Sequence, residues 1–97
     1  MQENKFIFTG EIVRSHDNSR GGSVIVRGYS KSDYNYENNV VELPVLLAGE
    51  LWDDLTSIPY KYTVVKFEGH MVMNTHISKS GNVKQYIKFI CDAFTRV

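Results

Sequence analysis

The residues that decide the fold are Val40 to Pro59, VVELPVLLAGELWDDLTSIP, because the spacing of apolar side chains changes within them. In the first half apolar residues recur at every second position, which indicates a strand with these side chains on one face: Val41, Leu43, Val45 and Leu47. In the second half apolar residues recur at helical spacing until Pro59 ends the element: Leu51, Leu55 and Ile58. The predicted helix has only about two turns, so it is too short to cover the whole face of a flat α+β sheet.

Four further segments alternate between apolar and polar residues and are predicted to be strands: NKFIFTGEIVRS (4–15), SVIVRGYS (23–30), YKYTVVKFEGHMVMN (60–74) and VKQYIKFICDAF (83–94). Polar stretches separate them: HDNSRGG (16–22), KSDYNYENN (31–39) and THISKSGN (75–82). Glycines inside the strands allow a small sheet to bend until it closes. The sequence therefore predicts an all-β fold, a five-stranded OB-fold Greek-key barrel with one short helix between strands 3 and 4. Residues 1–97 are predicted to form this single domain.

The alternation of the last strand predicts which side chains face the barrel interior. The inward set is Ile87, Phe89, Cys91 and Ala93, and the outward set is Lys84, Tyr86 and Lys88. Cys91 is the only cysteine and lies in an apolar run, so it is predicted to be a core residue rather than a nucleophile. Trp52, the only tryptophan, is predicted to plug one end of the barrel.

Composition excludes several classes of protein. The apolar runs are too short for the ~18 residues of a membrane span, and MQENKFIF lacks the basic flank of a signal peptide, so a cytosolic protein without membrane contact is expected. The formal net charge is zero, but residues 33–54 carry only acidic charges, whereas residues 55–91 carry five lysines against one glutamate. Such a basic region can steer anionic ligands even when the total charge vanishes.

Several landmarks, taken in order, resemble the single-stranded-DNA-binding (SSB) proteins and their short relative, primosomal replication protein N. They are NKFIFTGEI, GGSVIVRGYS, LPVLLAGEL and FEGHMVMNTHISKSGNVKQYIKF. The resemblance covers about Asn4 to Phe94 and implies sequence-tolerant binding of single-stranded DNA in replication, recombination or repair. The chain departs from the SSB pattern in two respects. Glu42 stands where an SSB tryptophan would fall, and the sequence ends at Val97 without a Gly/Pro-rich tail and acidic tip.

Single strands are held by cations that follow the phosphates and by aromatic faces that stack on bases. Side chains of both kinds are the predicted nucleic-acid-binding residues: Arg27, Tyr29, Tyr34, Tyr36, Lys66, His76, Lys79, Lys84, Tyr86 and Lys88. His70 and Tyr62 are expected to share the face of Lys66, and the resemblance puts His76 where SSB proteins often have a stacking ring. A structural alternative stays open, because strand tyrosines also cover lysine stems and the loop rings of Tyr34 and Tyr36 could cover the barrel itself.

The sequence lacks the spacing of metal ligands, a nucleophile elbow and a phosphate-binding glycine loop, so no enzyme, no metal and no cofactor are predicted. Single-stranded DNA is the predicted partner, with RNA left open. The resemblance implies a homodimer with Lys5 to Ile12 near the interface, or a tetramer as an alternative. Two other functions stay open: an adaptor that bridges replication proteins, and a protein-interaction OB domain without nucleic-acid binding.

Overall fold

The computed structural model describes residues 3–29 and 40–97, which fold into five strands and one helix. The elements are β1 (Phe6–Asn18), β2 (Gly21–Tyr29), β3 (Val40–Ala48), α1 (Gly49–Thr56), β4 (Val64–Ile77) and β5 (Val83–Arg96). The strands form a closed barrel in the order β1-β2-β3-β5-β4, in which β4 pairs back onto β1. Among the strand pairs of the described residues, only β3–β5 is parallel. The predicted OB-fold barrel, with one short helix between strands 3 and 4, is confirmed.

Strand β1 closes the barrel because it changes partners along its length. Phe6 to Glu11 pair with β4, and Glu11 to Asn18 pair with β2. Gly10 lies at this change, where a Cβ atom would come within 2.3 Å of the Arg27 carbonyl oxygen, so only glycine allows the two strands to approach. The register then shifts between Ile12 and Arg14, which makes Val13 a β-bulge and turns Arg14 to the outer surface.

The barrel interior is filled by alternate residues of all five strands, and α1 covers one end. The fully buried strand side chains include Ile12, Val24, Val26, Val45, Leu47, Val65 and Phe67. Each contributes about 1.5–3 kcal/mol by leaving water. From α1, Leu55 is fully buried and Trp52 is 9% exposed, with its ring edge-on to Tyr60 at a centroid distance of 6.1 Å. Trp52 and Cys91 are thus core residues, as predicted.

Several predicted element boundaries are wrong. Ile58 is half exposed, because α1 ends at Thr56. The turn expected at residues 16–22 shrinks to Ser19 and Arg20, since cross-strand pairing with β2 continues through Asn18. Strand β4 begins at Val64 rather than Tyr60 and continues to Ile77. Residues predicted as loop join β4 because the ladder with β5 extends to the Ile77–Val83 pair.

The β4–β5 hairpin continues past the barrel as a two-stranded ribbon, residues 72–77 and 83–88, which we call the arm. The predicted inward set of β5 is correct for Phe89 and Cys91. It is wrong for Ile87, which lies on the arm and is 50% exposed. It is also wrong for Ala93, because Asp92 forms a bulge that reverses the alternation. Phe94 therefore turns inward instead and packs against Phe67, with ring centroids 6.3 Å apart.

Candidate nucleic-acid interface

Arg27 and Tyr29 lie on the outer face of β2, because Val24 and Val26 alternate with them into the core. The Tyr29 ring is 78% exposed and stands opposite Val40 of β3. Arg27 stands opposite Glu42 of β3 on the same face. This end of the barrel therefore presents a guanidinium beside an exposed aromatic ring, as the sequence predicts.

Lys84, Tyr86 and Lys88 share the outer face of the arm. The Lys88 ammonium lies 5.9 Å from the centre of the Tyr86 ring, within the range of a cation–π contact. Cross-strand pairing sets His76 directly opposite Lys84. Among the described residues, neither Lys84 nor Lys88 forms an ion pair within the chain. Their charges are therefore available to a ligand.

A groove of about 250 Å³ joins the arm to the barrel. It is lined by residues of three strands: Tyr86, Ile87, Lys88 and Phe89 of β5, Pro44 and Leu46 of β3, and Ser23 of β2. Pro44 stands opposite Ile25, which lies two residues from Arg27 on the same face of β2. One continuous surface thus connects the two aromatic–cation pairs; we call it the outer wall, and it consists of Arg27, Tyr29, Pro44, Leu46, Tyr86 and Lys88.

The Glu42 carboxylate lies between two guanidinium groups on the same outer surface. Its Oε1 accepts hydrogen bonds from Arg27 Nη2 at 2.8 Å and Nε at 3.3 Å. Its Oε2 accepts a bond from Arg14 Nη2 at 2.9 Å. The Arg27 hydrogen bond is the main cause that lowers the pKa of Glu42, and the same bond raises the pKa of Arg27. The carboxylate therefore stays ionised between its two partners at neutral pH.

Solved structures with the same architecture were found for the whole chain. The S. cerevisiae mitochondrial single-stranded DNA binding protein Rim1 superimposes with a TM-score of 0.73, at 12% identity, over 100% of this chain and 97% of its own. A small single-stranded DNA binding protein from Mycoplasma pneumoniae superimposes with a TM-score of 0.66, at 18% identity, over 98% of this chain and 94% of its own. The fold is an SSB-like OB fold. No protein-family model matches the sequence, and no curated protein matches it.

Within this SSB-like fold, the other predicted site residues lie apart from the outer wall or at its margin. Lys79 lies in the loop at the tip of the arm, between β4 and β5. Lys66 is ten residues from His76 along β4, which corresponds to about 33 Å, and its ammonium lies 3.3 Å from the Glu68 carboxylate. Tyr34 and Tyr36 lie outside the described residues.

Of the two residues expected to share the face of Lys66, His70 does so and Tyr62 does not. Tyr62 precedes β4 and occupies a turn with a positive φ of 64°. Lys66 and His70 do lie on the outer face of β4, but His70 Nδ1 is 2.8 Å from Asp92 Oδ2. The expected position of Tyr62 on a strand is wrong because the chain turns between Tyr60 and Thr63 before β4 begins.

Arg14 is the surface residue that reasoning from sequence missed. Simple alternation from the buried Ile12 directs Arg14 inward, and only the bulge at Val13 turns it outward. The available signal was chemical, because arginine is almost never fully buried without a partner.

The described residues show neither a metal site nor a membrane-spanning helix. In the ranges 3–29 and 40–97, no group of three His, Cys, Asp or Glu side chains is arranged so that it could hold a metal ion. The same ranges contain no helix with the length and apolar character needed to cross a membrane.

Proposed function

We propose that this chain binds single-stranded DNA without reading its sequence, in cytoplasmic replication, recombination or repair. The observation that carries the proposal is the outer wall, where the Arg27–Tyr29 pair of β2 and the Tyr86–Lys88 pair of the arm lie on one face, and the second pair lines the groove against β3. Aromatic faces accept any base, and cations accept any phosphate, so this surface suits an unpaired strand of any sequence. The single-stranded DNA binding proteins of S. cerevisiae and Mycoplasma pneumoniae that share the fold support the same ligand.

The path that we propose for the strand runs from Tyr29 across the groove and along the arm. Tyr86 stacks on a base, while Lys84 and Lys88 on either side of it contact the flanking phosphates. His76, opposite Lys84, offers a smaller stacking ring, and Lys79 extends the cationic path at the tip. We include Tyr34 and Tyr36 as further stacking rings, on the sequence argument alone. Lys66 remains a candidate phosphate contact only for a DNA strand that is long enough to continue around the barrel.

Fluorescence anisotropy of a labelled oligo-dT of ~30 nucleotides tests the proposal directly. Four cations on the path, Arg27, Lys79, Lys84 and Lys88, predict a salt slope of about −3, since each phosphate contact with a single strand contributes about −0.7. The affinity should therefore fall roughly 50-fold between about 50 and 200 mM salt. Double-stranded DNA and single-stranded RNA of the same length serve as competitors. Absence of binding at about 50 mM salt would contradict the proposed function.

Tyr86 and Tyr62 form a matched pair for locating the site, since both are exposed tyrosines and only Tyr86 lies on the outer wall. Loss of one stacked base costs about 1–3 kcal/mol, so Tyr86→Ala should weaken oligo-dT binding roughly 5- to 150-fold. Tyr62→Ala should change it less than about twofold, and Tyr86→Phe should restore it. Equal losses for the two alanine variants would show that the outer wall is not the binding surface.

The inner face of the arm favours self-association as a second property. Met73, Ile77, Val83 and Ile87 are 50–66% exposed there, and they continue a surface that begins at Asn4 and Met71. We propose that a second copy of this chain covers this stripe, which gives a homodimer with Lys5 to Ile12 near the interface. A dimer would also lengthen the path available to one strand of DNA.

A further inference from the structure

The contact between Glu42 and the two arginines is larger than an ordinary cross-strand ion pair. It spans three neighbouring strands, with Arg14 on β1, Arg27 on β2 and Glu42 on β3. Each carboxylate oxygen is taken by a different guanidinium, at 2.9 and 2.8 Å. The two guanidiniums therefore converge on one point of the outer surface, and the anion that is hydrogen-bonded to both of them there is an exposed side chain of the protein itself.

We propose that Arg14 and Arg27 form a phosphate-binding site whose occupant in the free protein is the Glu42 carboxylate. A phosphodiester group of bound single-stranded DNA displaces this carboxylate, and Glu42 thereby limits the affinity. This inference rests on the proposed function and adds Arg14, a residue outside the predicted site, to it. The ligand is the backbone phosphate, so the site acts equally on every base sequence.

The chemistry of the two anions makes the exchange direct. A carboxylate and a phosphodiester both present two oxygens to the planar fork of a guanidinium, and arginine binds both in the same geometry. Arg14 and Arg27 have side chains 69% and 44% exposed, so a strand can reach them without a change in the fold. Tyr29 lies two residues beyond Arg27 on the same face, where a base adjacent to that phosphate can stack.

The local charges explain why the displacement costs affinity. Arg27 also stands opposite Glu11 of β1, so two carboxylates face the two guanidiniums and their charges cancel. Glu42 is the carboxylate that forms hydrogen bonds to both arginines, whereas Glu11 acts on Arg27 only through its charge. An incoming phosphate must therefore break the Glu42 bonds, and the displaced carboxylate then lies close to the phosphate and repels it.

The test is the variant Glu42→Gln, which keeps the shape of the side chain and removes its charge. We expect its affinity for labelled oligo-dT at about 50 mM salt to be roughly five- to tenfold higher than that of the unaltered chain, with a salt slope steeper by about 0.7. In the double variant Arg14→Ala/Glu42→Gln, most of this gain in affinity should disappear, because one of the two guanidinium groups that bind the phosphate is missing. Circular dichroism confirms that each variant is folded.

Two matched variants separate a phosphate site from a general effect of charge. Glu50→Gln makes the same change in net charge on exposed α1 and should leave the affinity within about twofold. Glu11→Gln removes the second carboxylate near Arg27 without removing a hydrogen bond to it, and should give a smaller gain than Glu42→Gln. Equal gains for the variants at Glu11 and Glu42, or a gain that persists without Arg14, would overturn the inference.

The outcomes also distinguish this inference from the proposed function. If the unaltered chain binds oligo-dT and Glu42→Gln binds no more tightly than Glu50→Gln, the inference is wrong and the function stands. If neither protein binds oligo-dT at about 50 mM salt, both are wrong. Should Glu42→Gln fail to fold, Arg14→Ala in the unaltered chain gives the answer. It should weaken binding and flatten the salt slope by about 0.7, whereas Arg96→Ala, at the helix end of the barrel, should not.

Discussion

Replacing Gly22 by alanine should destabilise the barrel, because the Trp52 ring lies directly on that glycine. A Cβ atom at position 22 would lie 2.6 Å from three ring atoms of Trp52, Cε2, Cζ2 and Cη2. Carbon atoms in contact normally stay about 3.5–4.0 Å apart, so the indole would have to withdraw by about 1 Å. The ring is 9% exposed and is backed by Tyr60, and therefore cannot move without disturbing the core.

Overpacking of this kind costs about 1–3 kcal/mol. For a domain of this size, 1 kcal/mol lowers the Tm by about 4–8 °C, so we expect Gly22→Ala to lower the Tm by roughly 10 °C. Thermal and urea unfolding followed by far-ultraviolet circular dichroism measures the change, and fluorescence of the only tryptophan reports on the same end of the barrel. Ser23→Ala, one residue along on the outer face of β2, is the control and should change the Tm little.

A double-mutant cycle with Trp52→Leu isolates the cause. Trp52→Leu alone should also be destabilising, since it empties space at the barrel end. In that background, Gly22→Ala should cost less than about 0.5 kcal/mol, because the smaller side chain leaves room for a methyl group. If Gly22→Ala is neutral in the unaltered chain, or costs the same in both backgrounds, the packing of Trp52 on Gly22 is not what restricts this position.

Two further predictions concern Cys91 and the inner face of the arm. Burial raises the pKa of the Cys91 thiol to about 11. At pH 8 the folded protein should therefore react with a thiol reagent far more slowly than the urea-unfolded chain, and equal rates would contradict this. The folded-state pKa is raised, so the stabilisation from the protonated thiol should be complete below about pH 8.5 and lost as the pH rises towards about 11. Light scattering should show that Ile87→Lys converts the proposed homodimer to a monomer. Ile58 is equally exposed, at 50%, but lies beyond α1, so Ile58→Lys should leave the dimer intact. An unaltered chain that is already monomeric would contradict the dimer.

Local periodicity was sufficient for most of the barrel interior and for the presence of the helix, but not for Ile87 and Ala93 of β5 or for the end of α1. Val24, Val26, Val45 and Leu47 are buried as the period-two pattern predicts, because a strand beside a packed core must turn alternate residues inward. The outward positions of Arg27, Tyr29, Tyr86 and Lys88 follow from the same rule. Their meeting across a groove does not, since it depends on the parallel contact between β3 and β5, which are separated by α1 and β4 along the chain.

The sequence by itself determined the all-β architecture, the short helix and most of the core, because these depend on the order and spacing of apolar residues. The tertiary structure alone decided which side chains face outward or inward at two bulges. The bulge at Val13 turns Arg14 outward to Glu42, and the bulge at Asp92 exchanges Ala93 for Phe94 in the core. A bulge is an extra residue accommodated by a neighbouring strand, so it depends on the register between distant segments and leaves no signal in the local pattern.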